Sequence, residues 1–122
     1  MKHSPEFEAL CLAAKAEITE TTPEAVKARL EAGEEVTLID VREDHEWEAG
    51  HVPDAEHLGR GIIERDIIAK HPDKTAELIL YCGGGFRSAL AALNLKKMGY
   101  TRAISMDGGI RRWRELGYPE TK

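Results

Sequence analysis

The sequence has 122 residues, which is enough for one domain built around a single core. Apolar residues make up 42% and charged residues 32%, a balance that excludes an intrinsically disordered chain. The formal net charge is −5 and the Lys and Arg residues are scattered, which excludes the basic face of a nucleic-acid-binding protein. No apolar run approaches the roughly 20 residues of a membrane span.

The first residues of the chain, 1–6, turn acidic at once and lack the apolar core of a signal peptide. The chain has two cysteines, and free thiols are typical of a reducing compartment. The expected location is therefore the cytoplasm.

Two helices are predicted near the N-terminus, each from a capping residue followed by proline. Ser4-Pro5-Glu6 begins the first helix, and Thr22-Pro23-Glu24 begins the second, which carries Val26 and Leu30 and stops at Gly33. Apolar residues at helical spacing predict the buried face of the first helix: Phe7, Leu10, Cys11, Ala14 and Ile18.

The rest of the chain alternates short apolar runs with amphipathic segments. Strands are predicted at residues 36–41, 55–58, 77–81 and 102–106, and helices at 43–49, 61–69, 87–98 and 110–116. This alternation predicts an α/β fold, in which a parallel sheet is covered by helices on both faces. Ligands in such folds bind beyond the carboxyl ends of the strands.

The loop after the strand at 77–81 carries the clearest functional motif, Cys82-Gly83-Gly84-Gly85-Phe86-Arg87-Ser88. Three consecutive glycines let the backbone curl so that its N–H groups converge, and the following helix adds its positive end. We expect a cysteine at the mouth of such a ring to act as a nucleophile, and the same ring to bind an anion. The alternative is that Cys82 only ends a buried strand.

Two cysteine chemistries fit an anion-binding loop. Tyrosine-type phosphatases use Cys-x5-Arg around a phosphoryl group, whereas Cys82 and Arg87 form Cys-x4-Arg. The shorter ring suits a single sulfur atom and disfavours a phosphatase or arsenate reductase.

Four segments in order resemble signatures of the rhodanese family, over most of residues 18–119. They are residues 38–55, 57–61, 82–88 and 106–113. The resemblance implies a rhodanese-like domain at 18–122 with a five-stranded parallel sheet, preceded by an extra N-terminal helix within residues 1–17. It also implies sulfur transfer through a Cys82 persulfide, from a small-molecule donor to a thiol, cyanide or protein acceptor, with no cofactor, nucleic acid or membrane partner.

Some features leave alternatives open. Family members that favour thiosulfate often carry a cation where this loop has Gly83 to Gly85, so a persulfide or polysulfide is an equally good donor. A non-catalytic interaction module is a further alternative, and the oligomeric state is open.

Several residues are expected to support Cys82. The residues expected to line the substrate site are Gly83, Gly84, Gly85, Phe86 and Arg87, with Phe86 either at its rim or in the core. Arg60 would either guide an anionic donor or belong to a solvated helix face. Asp40, Arg42 and Ser88 are expected to give structural support, and Asp40 would pair with Arg87 to fix the loop end. Cys11 is expected to be a core residue, and no His or Cys cluster has metal-ligand spacing.

Overall fold

The computed structural model describes residues 3–122. Its centre is a five-stranded parallel sheet with the strand order β1-β5-β4-β2-β3. The strands are β1 (Thr19–Thr21), β2 (Leu38–Asp40), β3 (Glu56–His57), β4 (Leu78–Tyr81) and β5 (Ala103–Met106). The predicted α/β class and the five-stranded parallel sheet are confirmed.

The helices are α1 (Pro5–Lys15), α2 (Pro23–Glu31), α3 (Asp44–Ala49), α4 (Ile63–Lys70), α5 (Phe86–Lys97) and α6 (Gly109–Glu115). The first two begin as predicted, because the Ser4 hydroxyl accepts from the N–H of Phe7 at 3.1 Å and the Thr22 hydroxyl accepts from that of Ala25 at 3.2 Å. From residue 36 onward, each predicted element begins and ends within two residues of the observed one.

Two hydrophobic cores lie on opposite faces of the sheet, because successive strand residues point to opposite sides. Along β4, Leu78 and Leu80 pack against α4 and α5, whereas Ile79 and Tyr81 pack against α2 and α6. The next residue, Cys82, falls on the same side as Leu80, so its side chain meets the beginning of α5.

Helix α1 forms an additional layer on α5. Cys11 and Ala14 are buried against Ala89 and Leu90 of α5, which confirms Cys11 as a core residue. Leu10, however, is 57% exposed. Its predicted place on the buried face is therefore wrong, and the stripe that contacts α5 is narrower than the apolar pattern.

Strand β1 explains a second difference from the predicted N-terminal segment. Helix α1 ends at Lys15, and Ile18 lies beyond it, packed against the core from the connection to β1. The sequence of β1 is Thr-Glu-Thr, an edge strand whose side chains are largely exposed. A short polar strand has no hydrophobic run, so its pairing with β5 could not be predicted from its own residues.

Candidate active site

Cys82 lies directly after β4, at the carboxyl end of a central strand. Its side chain is 1% exposed and belongs to the core that α5 covers. The thiol is therefore at the sheet edge where parallel α/β folds bind ligands, and it is presented at the bottom of a cleft rather than on the open surface.

The first turn of α5 surrounds the sulfur with donors. The backbone N–H of Gly85 donates to Cys82 Sγ at 3.1 Å, and the N–H of Ser88 does so at 3.4 Å. The Ser88 hydroxyl lies 3.5 Å from the sulfur and 2.8 Å from the hydroxyl of Ser105 on β5, and both serines are buried. These groups hold the sulfur in one position, and their N–H dipoles favour negative charge on it.

The loop needs glycine at Gly85, the residue that precedes α5. Its φ is +113°, in the left-handed region that side chains avoid, and an added Cβ would lie 3.0 Å from Asp107 Oδ1. This conformation turns the Gly85 N–H back toward the sulfur.

The start of α6 holds the loop from the opposite side. The N–H groups of Ile110 and Arg111 donate to the carbonyls of Cys82 and Gly83 at 2.9 and 3.0 Å, and that of Gly108 donates to Gly84 at 3.2 Å. The carbonyls of Cys82, Gly83 and Gly84 thus face the start of α6, whereas the N–H of Gly85 faces the sulfur. These hydrogen bonds between α6 and the loop could not be predicted from the sequence.

Arg87 lines the cleft and is ion-paired with Glu46 of α3. Its Nη1 and Nη2 lie 2.6 and 3.1 Å from the two carboxylate oxygens, a bidentate contact. The expected pair between Asp40 and Arg87 is therefore wrong. Glu46 also accepts from the N–H of Glu43 at 3.0 Å, so the same carboxylate caps α3 and anchors the active-site loop.

The Arg87 guanidinium lowers the pKa of Glu46 from its ordinary value of 4.5 to about 2. A carboxylate with a lowered pKa in the folded state stabilises the protein above its ordinary pKa, and that contribution disappears as the pH falls toward the lowered value. We expect Glu46→Gln to cost about 1–2 kcal/mol at pH 7, since both side chains are partly exposed, and to cost only a small part of that near pH 2. Urea unfolding of both proteins at pH 7, 4 and 2.5 measures this difference. A cost that stays constant down to pH 2.5 would contradict the assignment.

Asp40 and Arg42 form a separate buried pair. Their side chains are 0% and 3% exposed and lie 2.8 Å apart, and Arg42 also donates to the carbonyl of Gly50 at 2.7 Å. The pair ties the end of β2 to the end of α3, beside the site but outside the cleft.

Arg60 is not among the residues that line the cleft. Its Nε is buried without a hydrogen-bond partner among residues 3–122, and its charge acts on the thiol of Cys11, whose pKa is raised mainly by burial. Arg60 therefore lies outside the cleft wall, beside β2 through the hydrogen bond from its N–H to the carbonyl of Val41 at 2.9 Å, and its guidance of a donor stays a prediction.

The cleft above Cys82 has a volume of about 740 Å³. Loop residues form its floor, and Phe86 both lines it and packs against α1. The other walls come from α1, α3 and α6. The lining residues are His3, Phe7, Glu8, His45, Glu46, Cys82, Gly83, Gly84, Phe86, Arg87 and Arg111.

Sequence reasoning missed the wall that comes from α1 and the segment before it. The rings of His3 and Phe7 lie 5.4 and 6.1 Å from that of Phe86, so three aromatic side chains cluster at one side of the cleft. The position of Phe7 on the buried face of α1 was the available signal, but the sequence does not show on which helix that face packs.

In the part of the chain that the structure describes, no group of His, Cys, Asp or Glu side chains is arranged to hold a metal ion. No helix within residues 3–122 combines the length and the apolar character that crossing a bilayer requires.

Residues 22–116 match the family model of the rhodanese-like domain. The chain is 37% identical over 98 residues to the thiosulfate sulfurtransferase GlpE of Pseudomonas savastanoi pv. phaseolicola, an alignment that covers 80% of this chain and 88% of that protein. Two other curated relatives are longer proteins: the chain spans 25% of the probable adenylyltransferase/sulfurtransferase MoeZ of Mycobacterium tuberculosis and 51% of the putative sulfur carrier protein YrkF of Bacillus subtilis.

Two solved structures extend the similarity to α1. A Rhodopseudomonas palustris protein of unknown function, described as a possible tyrosine phosphatase, has a TM-score of 0.82 and 26% identity over 99% of this chain and 98% of its own. The polysulfide-sulfur transferase homodimer of Wolinella succinogenes has a TM-score of 0.78 and 28% identity, with 95% of this chain and 87% of that chain covered.

Proposed function

The chain belongs to the rhodanese-like family, and we propose that it transfers a sulfane sulfur through a persulfide on Cys82. The observation that carries the proposal is the position of the thiol, buried at the carboxyl end of β4 with two backbone N–H groups directed at its sulfur. Relatives named as sulfurtransferases support the reaction class.

The first half of the cycle forms the persulfide. The Cys82 thiolate attacks the outer sulfur of the donor, a sulfur–sulfur bond forms on Cys82, and the donor's own sulfur–sulfur bond breaks. With thiosulfate the electron pair leaves on sulfite, a stable anion, so no general acid is needed. In the second half a thiol, cyanide or protein acceptor attacks the terminal sulfur, and the Cys82 thiolate is restored.

The surroundings of the sulfur support both halves. The N–H groups of Gly85 and Ser88 are already in place, so they stabilise negative charge on Cys82 without rearrangement. The cleft of about 740 Å³ is open enough for a donor and then an acceptor to reach the same sulfur in turn. We place the cycle in the cytoplasm because both cysteines are free thiols.

Mass spectrometry after exposure to sulfur donors tests the proposal. The reduced protein is incubated separately with thiosulfate, glutathione persulfide and polysulfide, and the donor is then removed. We expect at least one donor to add the mass of one sulfur atom to the peptide that contains Cys82, and cyanide to remove that sulfur as thiocyanate. The Cys11 peptide of the same sample is the internal control, because that thiol is buried between α1 and α5 and does not line the cleft.

The outcomes separate the proposal from its rivals. Absence of an adduct with all three donors would contradict a persulfide cycle and leave a non-catalytic interaction module. Hydrolysis of a generic aryl phosphate that requires Cys82 would instead support the phosphatase chemistry suggested for the R. palustris protein. We expect no such hydrolysis, because the Cys-x4-Arg ring is one residue shorter than a phosphatase loop.

A further inference from the structure

Arg111 differs from most other arginines because it pairs with none of the carboxylates that the structure describes in residues 3–122. The sequence contains nine arginines, and seven of them are ion-paired with Asp or Glu in the structure. Within residues 3–122, only Arg60 and Arg111 form no such pair, and Arg60 does not line the cleft. Arg111 is therefore the unneutralised guanidinium of the catalytic cleft.

The position of Arg111 is set by the active-site loop itself. Its backbone N–H donates to the carbonyl of Gly83 at 3.0 Å, and its guanidinium lies along Gly84, where an added Cβ would be 3.1 Å from Nη1. The absence of side chains on the loop is what allows this approach. The loop glycines thus leave room for the Arg111 guanidinium, which comes from α6 and not from the loop motif at residues 82–88.

The other charged groups of the cleft leave Arg111 available to a ligand. The charge of Arg87 is compensated by Glu46. Glu8 faces the same cleft from α1 without an ion pair to Arg111, and His3 and His45 are the remaining titratable groups of its walls. An anion that reaches Cys82 therefore encounters one guanidinium, that of Arg111, whose charge is not compensated by a carboxylate of residues 3–122.

From this geometry we infer that Arg111 is a specificity-determining residue, which binds the anionic group that leaves the sulfur donor. The inference rests on the proposed persulfide cycle. When the donor's sulfur–sulfur bond breaks, the electron pair stays on the leaving group, as on sulfite from thiosulfate. The planar guanidinium suits the oxygens of such a group. Loop positions Gly83 to Gly85 carry no cation, and Arg111 of α6 provides one in their place. This cation favours donors with an oxyanionic leaving group.

Steady-state kinetics with two donors test the inference. Thiosulfate releases the oxyanion sulfite, whereas 2-hydroxyethyl persulfide also donates a sulfane sulfur but releases a thiolate with no other charge. For Arg111→Gln we expect kcat/KM for thiosulfate to fall about 10-fold. We expect kcat/KM for 2-hydroxyethyl persulfide, and for the acceptor cyanide, to change less than about 2-fold.

Arg112→Gln is the matched control. Arg112 is the next residue of α6 and is ion-paired with Glu24, outside the catalytic cleft. We expect this variant to match the wild type with both donors, and Arg111→Lys to recover part of the thiosulfate rate. An equal loss with both donors, or no loss with thiosulfate, would overturn the role of Arg111. Wild-type protein that forms no Cys82 adduct with any donor would refute the persulfide cycle instead.

Discussion

Replacing Cys82 with serine is expected to reduce sulfur transfer by at least about 10³-fold while the protein remains folded. The serine hydroxyl keeps its proton near neutral pH and cannot form a persulfide. It is nearly isosteric with the thiol, and it can accept the hydrogen bonds that Gly85 and Ser88 donate to Cys82 Sγ. The loss should therefore reflect chemistry and not a collapsed loop.

The transfer rate from thiosulfate to cyanide and the free energy of unfolding in urea are measured on the same preparations. Cys11→Ala is the matched control, because Cys11 is the other cysteine and is buried in the contact between α1 and α5. We expect it to lose about 1 kcal/mol of stability and to keep most of its activity. Cys82→Ser that retained more than a tenth of the wild-type rate would contradict a nucleophilic role for Cys82.

The central strands of the fold could be predicted because their own residues require burial. The segment Leu78-Ile79-Leu80-Tyr81 is apolar on both faces, which suits a strand covered by helices on both sides. Strand β1 lacked this signal. Its Thr-Glu-Thr sequence forms a strand because it pairs with the edge of β5, so the residues of β1 alone do not indicate a strand.

The candidate site likewise has one part that the sequence predicts and another that it does not. The loop from Cys82 to Ser88 could be predicted because its residues are consecutive and because consecutive glycines indicate a tightly curled backbone. The partner of Arg87 could not, because Glu46 lies 41 positions away and Asp40 was an equally plausible carboxylate. Arg111 and Phe7 reach the cleft from two further helices. Their roles depend on packing directions that a hydrophobic pattern does not specify.

Replacing Gly109 with alanine should disturb the active-site loop, because it breaks the backbone hydrogen bonds between the start of α6 and the loop. Gly109 has a φ of +54°, and an added Cβ would lie 2.5 Å from the carbonyl oxygen of Cys82 and 2.6 Å from that of Gly83. These are backbone atoms that also accept the hydrogen bonds of Ile110 and Arg111, so they cannot move without breaking the contact between loop and helix. We expect a loss of about 3–5 kcal/mol in unfolding free energy.

Gly117→Ala is the control that separates the steric effect of the added Cβ from the energetic cost of a positive φ. Gly117 also has a positive φ, +73°, but no atom of the described residues 3–122 lies within 4 Å of its added Cβ, so we expect a cost of only about 1 kcal/mol. Urea unfolding measures both variants, and the yield of Cys82 persulfide reports on the loop in whatever fraction of Gly109→Ala remains folded. Because a displaced loop no longer directs its N–H groups at the sulfur, that yield should fall in Gly109→Ala and not in Gly117→Ala. Equal costs for the two substitutions would show that α6 does not hold the loop in place.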